Sequence, residues 1–239
     1  MLILSNYNSE TKSEKCWFQS SNVFYSEFIE NNEKNEGDLY VTFNNGATYK
    51  YKNVQIAPDY VMFKHGGLDG SHGKALNKHI KPKYEFERVN DRSTTVLTEE
   101  KELCIKNKFE EIKNKTVFVS GHRDITEDEF TKYKSEITSL LKEIPDALFV
   151  VGDYHGADIM TQNFLIDELS LEPERVTVYH MSDTPMNINP KIKNTIGGFE
   201  TDEERDMAMT ANSFKDIAFV RQHTELSGTA QNILRRFLI

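Results

Sequence analysis

Cysteine is scarce: Cys16 and Cys104 are the only two in 239 residues. Two are too few for a disulfide framework, and they lack the CxxC spacing of a zinc site, which suits a reducing compartment. Long apolar runs are missing as well. No stretch approaches the roughly 18 to 20 apolar residues that span a bilayer, and the opening MLILSNYNSE is too short and too polar for the apolar region of a signal peptide. A cytoplasmic protein with no membrane partner is therefore expected. Positive charge is also in deficit, with 29 Lys and Arg against 38 Asp and Glu. Residues 1–90 balance at 11 against 11, leaving 18 against 27 for the rest, so the whole deficit of nine falls after residue 90. So acidic a C-terminal part is a poor general binder of nucleic acid, although backbone amides and a single Arg can still hold one small anion.

Hydrophobic residues make up 38% of the chain, enough for a real core, and the length suits one large or two small domains. From Ser20 to Val89 the pattern is a run of short β-like segments. LYVTF and ATYKYKNV flank Asn44-Asn45-Gly46, a strong hairpin signal, and YEFERV reads as a closing strand. Residues 20–89 are thus expected to form a small β-rich module. Residues 90–114 read as a charged helical linker, in which Leu103, Ile105, Phe109 and Ile112 recur at roughly helical intervals and could pack on either neighbour.

From Lys115 the rhythm becomes alternating strands and helices. TVFVS is a continuous apolar and β-branched run, typical of a strand buried on both faces. Capping boxes at Thr126 with Glu129 and at Thr201 with Glu204 open two helices. ALFVV, RVTVYHM and DIAFV supply three more strands, and GTAQNILRRF a last helix. Residues 115–239 are therefore expected to be an α/β domain, a parallel sheet of about four strands with helices on both faces. Its ligand crevice should lie beyond the carboxyl ends of the strands.

Small and polar residues fall at those ends. The first strand runs into Ser120-Gly121-His122-Arg123 and the second into Gly152-Asp153-Tyr154-His155-Gly156-Ala157-Asp158; a third loop carries Ser227-Gly228-Thr229. Glycines let backbone N–H groups approach a ligand, and helix N-termini favour negative charge, so this edge suits a phosphate or ribose. Each loop alone could be no more than a tight turn, and Asp158 no more than an acid complementing a helix dipole. His155, Asp153 and Asp158 have spacing that a metal could use, but spacing alone does not make a site, and neither a metal nor a cofactor is expected.

SGHR, GDYHGAD, RDMAM and SGT, in that order and spacing, resemble the SLOG superfamily of Rossmann-like nucleotide-sensing and nucleotide-processing domains, above all its YspA-like branch. The cytokinin-activating phosphoribohydrolases are more distant relatives. The resemblance covers residues 115–239. It implies that Ser227, Gly228 and Thr229 cradle a phosphate, that Arg205 faces the ligand, and that Met209 of RDMAM belongs to the site. The hydrolytic relatives carry a glutamate where this chain has Asn232, which cannot act as a general base. Binding is then expected to survive more readily than hydrolysis, with Asp153 or Asp158 as substitute carboxylates if chemistry occurs. Residues 20–89 resemble a KTSC domain, through SSNV, LYVTFNNGATYKY and NKHIKPKYEFERV. That resemblance implies a weak RNA contact through residues 64–88, where Lys74, Lys78, Lys81 and Lys83 cluster. Tyr49 and Tyr51 share one side of a strand, to stack bases or to fill the core.

Taken together, these features predict a protein that senses or sequesters a nucleotide or nucleotide derivative, such as an ADP-ribose-like or cyclic species, in the setting of phage and bacterial defence. An N-glycosidase or phosphoribohydrolase acting on nucleoside 5′-monophosphates is the alternative, and an RNA-binding adaptor the weaker one. A homo-oligomer is left open.

Overall fold

An antiparallel meander forms along the first part of the chain, with period-two alternation of burial clearest over residues 36–41. Its strands are β1 (Leu2–Asn8), β2 (Ser13–Phe18), β3 (Val23–Glu30), β4 (Glu36–Phe43), β5 (Thr48–Gln55) and β6 (Phe86–Val89), each hydrogen-bonded to the next in sequence order. The Asn44-Asn45-Gly46 turn closes β4 on β5 in the register Thr42 to Thr48, with Gly46 at a φ of 86° that an L side chain rarely adopts. Two short helices, α1 (Val61–Lys64) and α2 (His72–Ala75), lie between β5 and β6 in sequence, and the segment carrying them contributes Phe63, Leu76 and Ile80 to a core with Phe18, Phe28, Leu39, Val41 and Tyr51. The long helix α3 (Thr94–Lys113) adds Leu97 to a second cluster with Trp17 and Tyr25. The Trp17 indole N–H donates to the Leu97 carbonyl at 2.8 Å.

The computed structural model describes residues 1–31, 34–221 and 227–237. It divides into two compact units, Met1–Lys108 and Phe109–Ile239. The first unit therefore takes in β1 and β2, ahead of the Ser20 start read from the sequence, and the boundary falls inside α3 rather than on either side of a linker. Leu103, Ile105, Phe109 and Ile112 are all exposed. Leu97, nearly two turns before Leu103, is the helix's buried residue.

The second unit is a parallel sheet of β7 (Thr116–Ser120), β8 (Leu148–Val151), β9 (Val176–Tyr179), β10 (Thr195–Ile196) and β11 (Lys215–Ala218), in the order β10-β9-β8-β7-β11. The fifth strand, β10, is two residues long, too short for any periodicity to show. All five residues of β7 are buried, as a strand covered on both faces requires. Val117 and Val119 face helices α4 (Glu127–Glu143) and α5 (Ala157–Asn163), against Phe130, Tyr133 and Ile137. Phe118 joins Val150, Tyr179 and Met209 on the opposite face, under α6 (Asp202–Ala211). The last helix is α7 (Gly228–Arg236). Thr126 and Glu129 complete both halves of their capping box, whereas at Thr201 only one half forms, because the Glu204 carboxylate accepts from Glu200 N–H instead.

Leu97→Ala should lower the stability of the first unit by about 2 to 5 kcal/mol, the range for emptying a packed leucine site. Leu103→Ala, at an exposed position, should stay within about 0.5 kcal/mol. Urea unfolding followed by fluorescence of Trp17, the one tryptophan, reads both; equal shifts would show that Leu97 is not the anchor.

Candidate functional site

Strand order outward from β7 runs through β8, β9 and β10 on one side, then returns to set β11 on the other, and a crevice is expected where such an order reverses. A cavity of about 320 Å³ opens there, at the carboxyl ends of β7 and β8. Ser120, Gly121, His122 and Arg123 reach it from β7, and Gly152, His155 and Asp158 from β8. Arg205 and Met209 come from α6, and Ser227, Gly228, Thr229 and Asn232 from the start of α7. Of the residues expected from the sequence, only Asp153 and Gly156 stand behind the wall. Four others complete the lining and were not anticipated: Phe118, Tyr154, Asp202 and Asp206. Tyr154 lies inside the GDYHGAD motif and Asp202 inside a capping sequence, so neither carried a signal of its own.

Two ties set the cavity's edge. The Tyr133 hydroxyl donates to the Ser120 carbonyl and accepts from Phe219 N–H, both at 3.0 Å, and so joins the exits of β7 and β11. Arg221 then grips the start of α4: its Nε donates to Glu129 at 2.8 Å and its Nη1 to Asp124 at 2.9 Å. Hydrogen bonds from Arg221, with the Thr126 cap, hold the Glu129 carboxyl down at about 2. Residues 222–226, which precede the third expected loop, lie outside the described residues.

Glycine has different uses around this rim. A Cβ on Gly152 would lie 2.3 Å from Asp158 Oδ2, and one on Gly156, at a φ of 80°, 2.2 Å from the Arg123 carbonyl, so these two serve close packing. A Cβ on Gly228 would meet nothing within 4 Å. Among the described glycines lining the cavity, it is the one with open space where a side chain would stand.

Charge is concentrated on the α6 side. The Arg205 side chain is only 6% exposed, and its Nε and Nη2 donate to Asp206 Oδ1 at 3.1 and 2.9 Å. Its Nη1 lies 3.3 Å from Asp202 and 3.6 Å from Asp153. Arg205 thus lines the cavity with carboxylates on three sides of it. Arg205 Nη1, Asp153 Oδ1 and Ser120 Oγ are all buried without a hydrogen-bond partner. Arg123 lies over the Tyr154 ring at 3.5 Å from its centroid, and Tyr154 donates its hydroxyl to Asp202 at 2.9 Å.

Asp158 has the most altered chemistry. Its Oδ2 accepts from Tyr154 N–H at 3.1 Å. Burial, with the charges of Asp206 and Asp153 behind it, pushes the carboxyl up from 3.8 to about 7. The group can therefore hold or release a proton near neutrality. Asn232, by contrast, lies against Arg235, whose Nη1 donates to its side-chain oxygen.

Among the described residues no cluster of His, Cys, Asp and Glu is placed to hold a metal ion, and no helix is long and apolar enough to cross a membrane. In the first unit, Lys64 pairs with Glu14, Lys74 with Asp69 and Lys83 with Asp59, so much of the basic stretch 64–88 is already neutralised. Comparison with known proteins finds no matching family model and no matching curated sequence.

Because the folded-state value of Asp158 lies above its unfolded one, its ionisation opposes folding. The penalty is absent below about 3.8, grows as pH rises and is complete above about 7. Asp158→Asn should therefore gain melting temperature relative to the parent as pH rises from 4 to 8. A difference that stays flat across that window would show that Asp158 titrates normally.

Proposed function

We propose that the second unit binds a small phosphorylated nucleoside derivative, such as an ADP-ribose-like or cyclic nucleotide species, and acts by sensing or sequestering it. One observation carries this reading: an amide-rich turn and a set of carboxylates line one cavity of about 320 Å³. Backbone N–H groups at Gly228 and Thr229, at the start of α7, suit a phosphate, since a helix N-terminus favours negative charge. Asp202, Asp206 and Asp158 suit ribose hydroxyls, which can donate to them. Ser120 Oγ, buried and unpartnered, offers one further polar contact. The likeness of residues 115–239 to SLOG domains, and the Rossmann-like order of strands around β7, support the same reading.

A ligand that binds only the folded state stabilises it, by about 2.7 kcal/mol at a hundredfold excess over Kd. ADP-ribose, cyclic dinucleotides and nucleoside monophosphates, screened by thermal denaturation, should include at least one that raises the melting temperature. Gly228→Val adds bulk at a position where a Cβ meets no described atom within 4 Å. It should fold like the parent and lose the shift. A full panel without a shift, or an unchanged response in Gly228→Val, would remove the site.

The neutral-range carboxyl of Asp158 favours a second reading, cleavage of an N-glycosidic bond. There Asp158 would protonate the departing base as the bond to the ribose carbon breaks, and water would supply the new hydroxyl and return its other proton to Asp158. Asn232 weighs against it. Repeated release of free base from a nucleoside monophosphate, lost in Asp158→Asn with the thermal shift retained, would establish catalysis; its absence leaves binding alone.

A further inference from the structure

The geometry points to a second binding site, in the first unit, for a small planar aromatic anion. It occupies a cavity of about 580 Å³ walled by Phe43, Tyr49, Tyr51 and Phe86, with Lys81 at its mouth. The site is independent of the sheet-edge cavity described above.

The aromatic wall has a gap that the fold does not fill. Tyr51 is fully buried in the core of the meander, and Tyr49 and Phe43 pack against that core from its margin. Phe86, on the edge strand β6, is 54% exposed, although its ring lies 5.5 Å from Tyr51 and 6.1 Å from Tyr49. Phe43 meets Tyr49 edge-on at 5.8 Å. Such rings present edges and faces to the cavity, the arrangement in which another flat ring stacks or inserts edge-on. Of the Tyr49 and Tyr51 pair, Tyr51 fills the core and Tyr49 lies at its margin.

Charge decides what kind of ring. The cavity lining contains no Asp or Glu, and its one ionised group is Lys81. Lys81 Nζ stands 5.8 Å from the centre of the Phe43 ring, and no carboxylate pairs with it among the described residues. A cation against an apolar wall attracts an anion more strongly than one in bulk water. Asn45 fixes its side-chain oxygen on Ala47 N–H, which leaves its amide N–H groups to donate at the rim. One cation serves one anionic group, a carboxylate, sulfonate or phosphate on the ring. A nucleic acid chain would need several, and here Lys74 and Lys83 are already paired with Asp69 and Asp59.

Titration calorimetry on the full-length protein tests this with three probes: 2-naphthoate, 2-naphthylmethylamine and a short oligouridylate. 2-Naphthoate should saturate and bind at least about tenfold tighter than the amine of the same ring. Lys81→Gln should abolish that preference, Phe86→Ser should weaken 2-naphthoate, and Gly228→Val should leave its binding unchanged. Equal affinity for both naphthyl probes, no saturation at millimolar 2-naphthoate, or indifference to Lys81→Gln would overturn the proposal. Tighter binding of the oligouridylate, with a steep salt dependence lost in Lys81→Gln, would overturn it in favour of a nucleic acid contact.

Discussion

One buried guanidinium organises the second unit's candidate site. Arg205 is nearly sequestered from water on α6, and Asp206, Asp202 and Asp153 converge on it from the helix and from the loop after β8. Arg205 offsets the repulsion among these acids, which is strongest for the buried Asp153 and Asp206 and screened by water at the half-exposed Asp202. Arg205 in turn could not be buried alone. The cluster fixes the start of α6 against the exit of β8, and Tyr154 and Arg123 build the next part of the wall upon Asp202.

Carboxylates and backbone amides share the lining of one cavity. Asp158 keeps its proton to about 7 chiefly because it is buried; Arg205 pulls that value down, while Asp206 and Asp153 push it up. Backbone at the first turn of α7 lines the same cavity. A ligand carrying both hydroxyls and a phosphate complements both sets of groups, whereas a bare polyanion complements only one. The acidic balance of the chain after residue 90 is then a local property as well as a global one.

The parallel sheet could be read from the sequence because a buried strand and an amphipathic helix leave different periods, as TVFVS and the stripe of α4 show. The residues brought to the sheet edge were readable for the same reason, since each follows a strand. Arg205 could be located but its partners could not: Asp202 and Asp206 are near it in sequence, yet Asp153 arrives from a loop some fifty residues earlier, and only the fold joins them. Two strands at the N-terminus were missed because MLILSNYNSE and SEKCWF mix polar with apolar residues; one face of β2 is covered by Trp17's packing on Leu97, about eighty residues away. β10 leaves no period at two residues. The glycines were read as a ligand cradle, and packing around Gly152 and Gly156 accounts for two of them without a ligand.

The polarity of the sheet-edge cavity is the claim on which the functional proposal rests. A crystal structure of the full-length protein soaked with ADP-ribose tests it most directly. The phosphate should lie on the amides of Gly228 and Thr229, with ribose hydroxyls toward Asp202, Asp206 and Asp158 and the Arg205 cluster intact. A phosphate seated directly on Arg205, displacing Asp206, or a ligand found only outside this cavity, would contradict it.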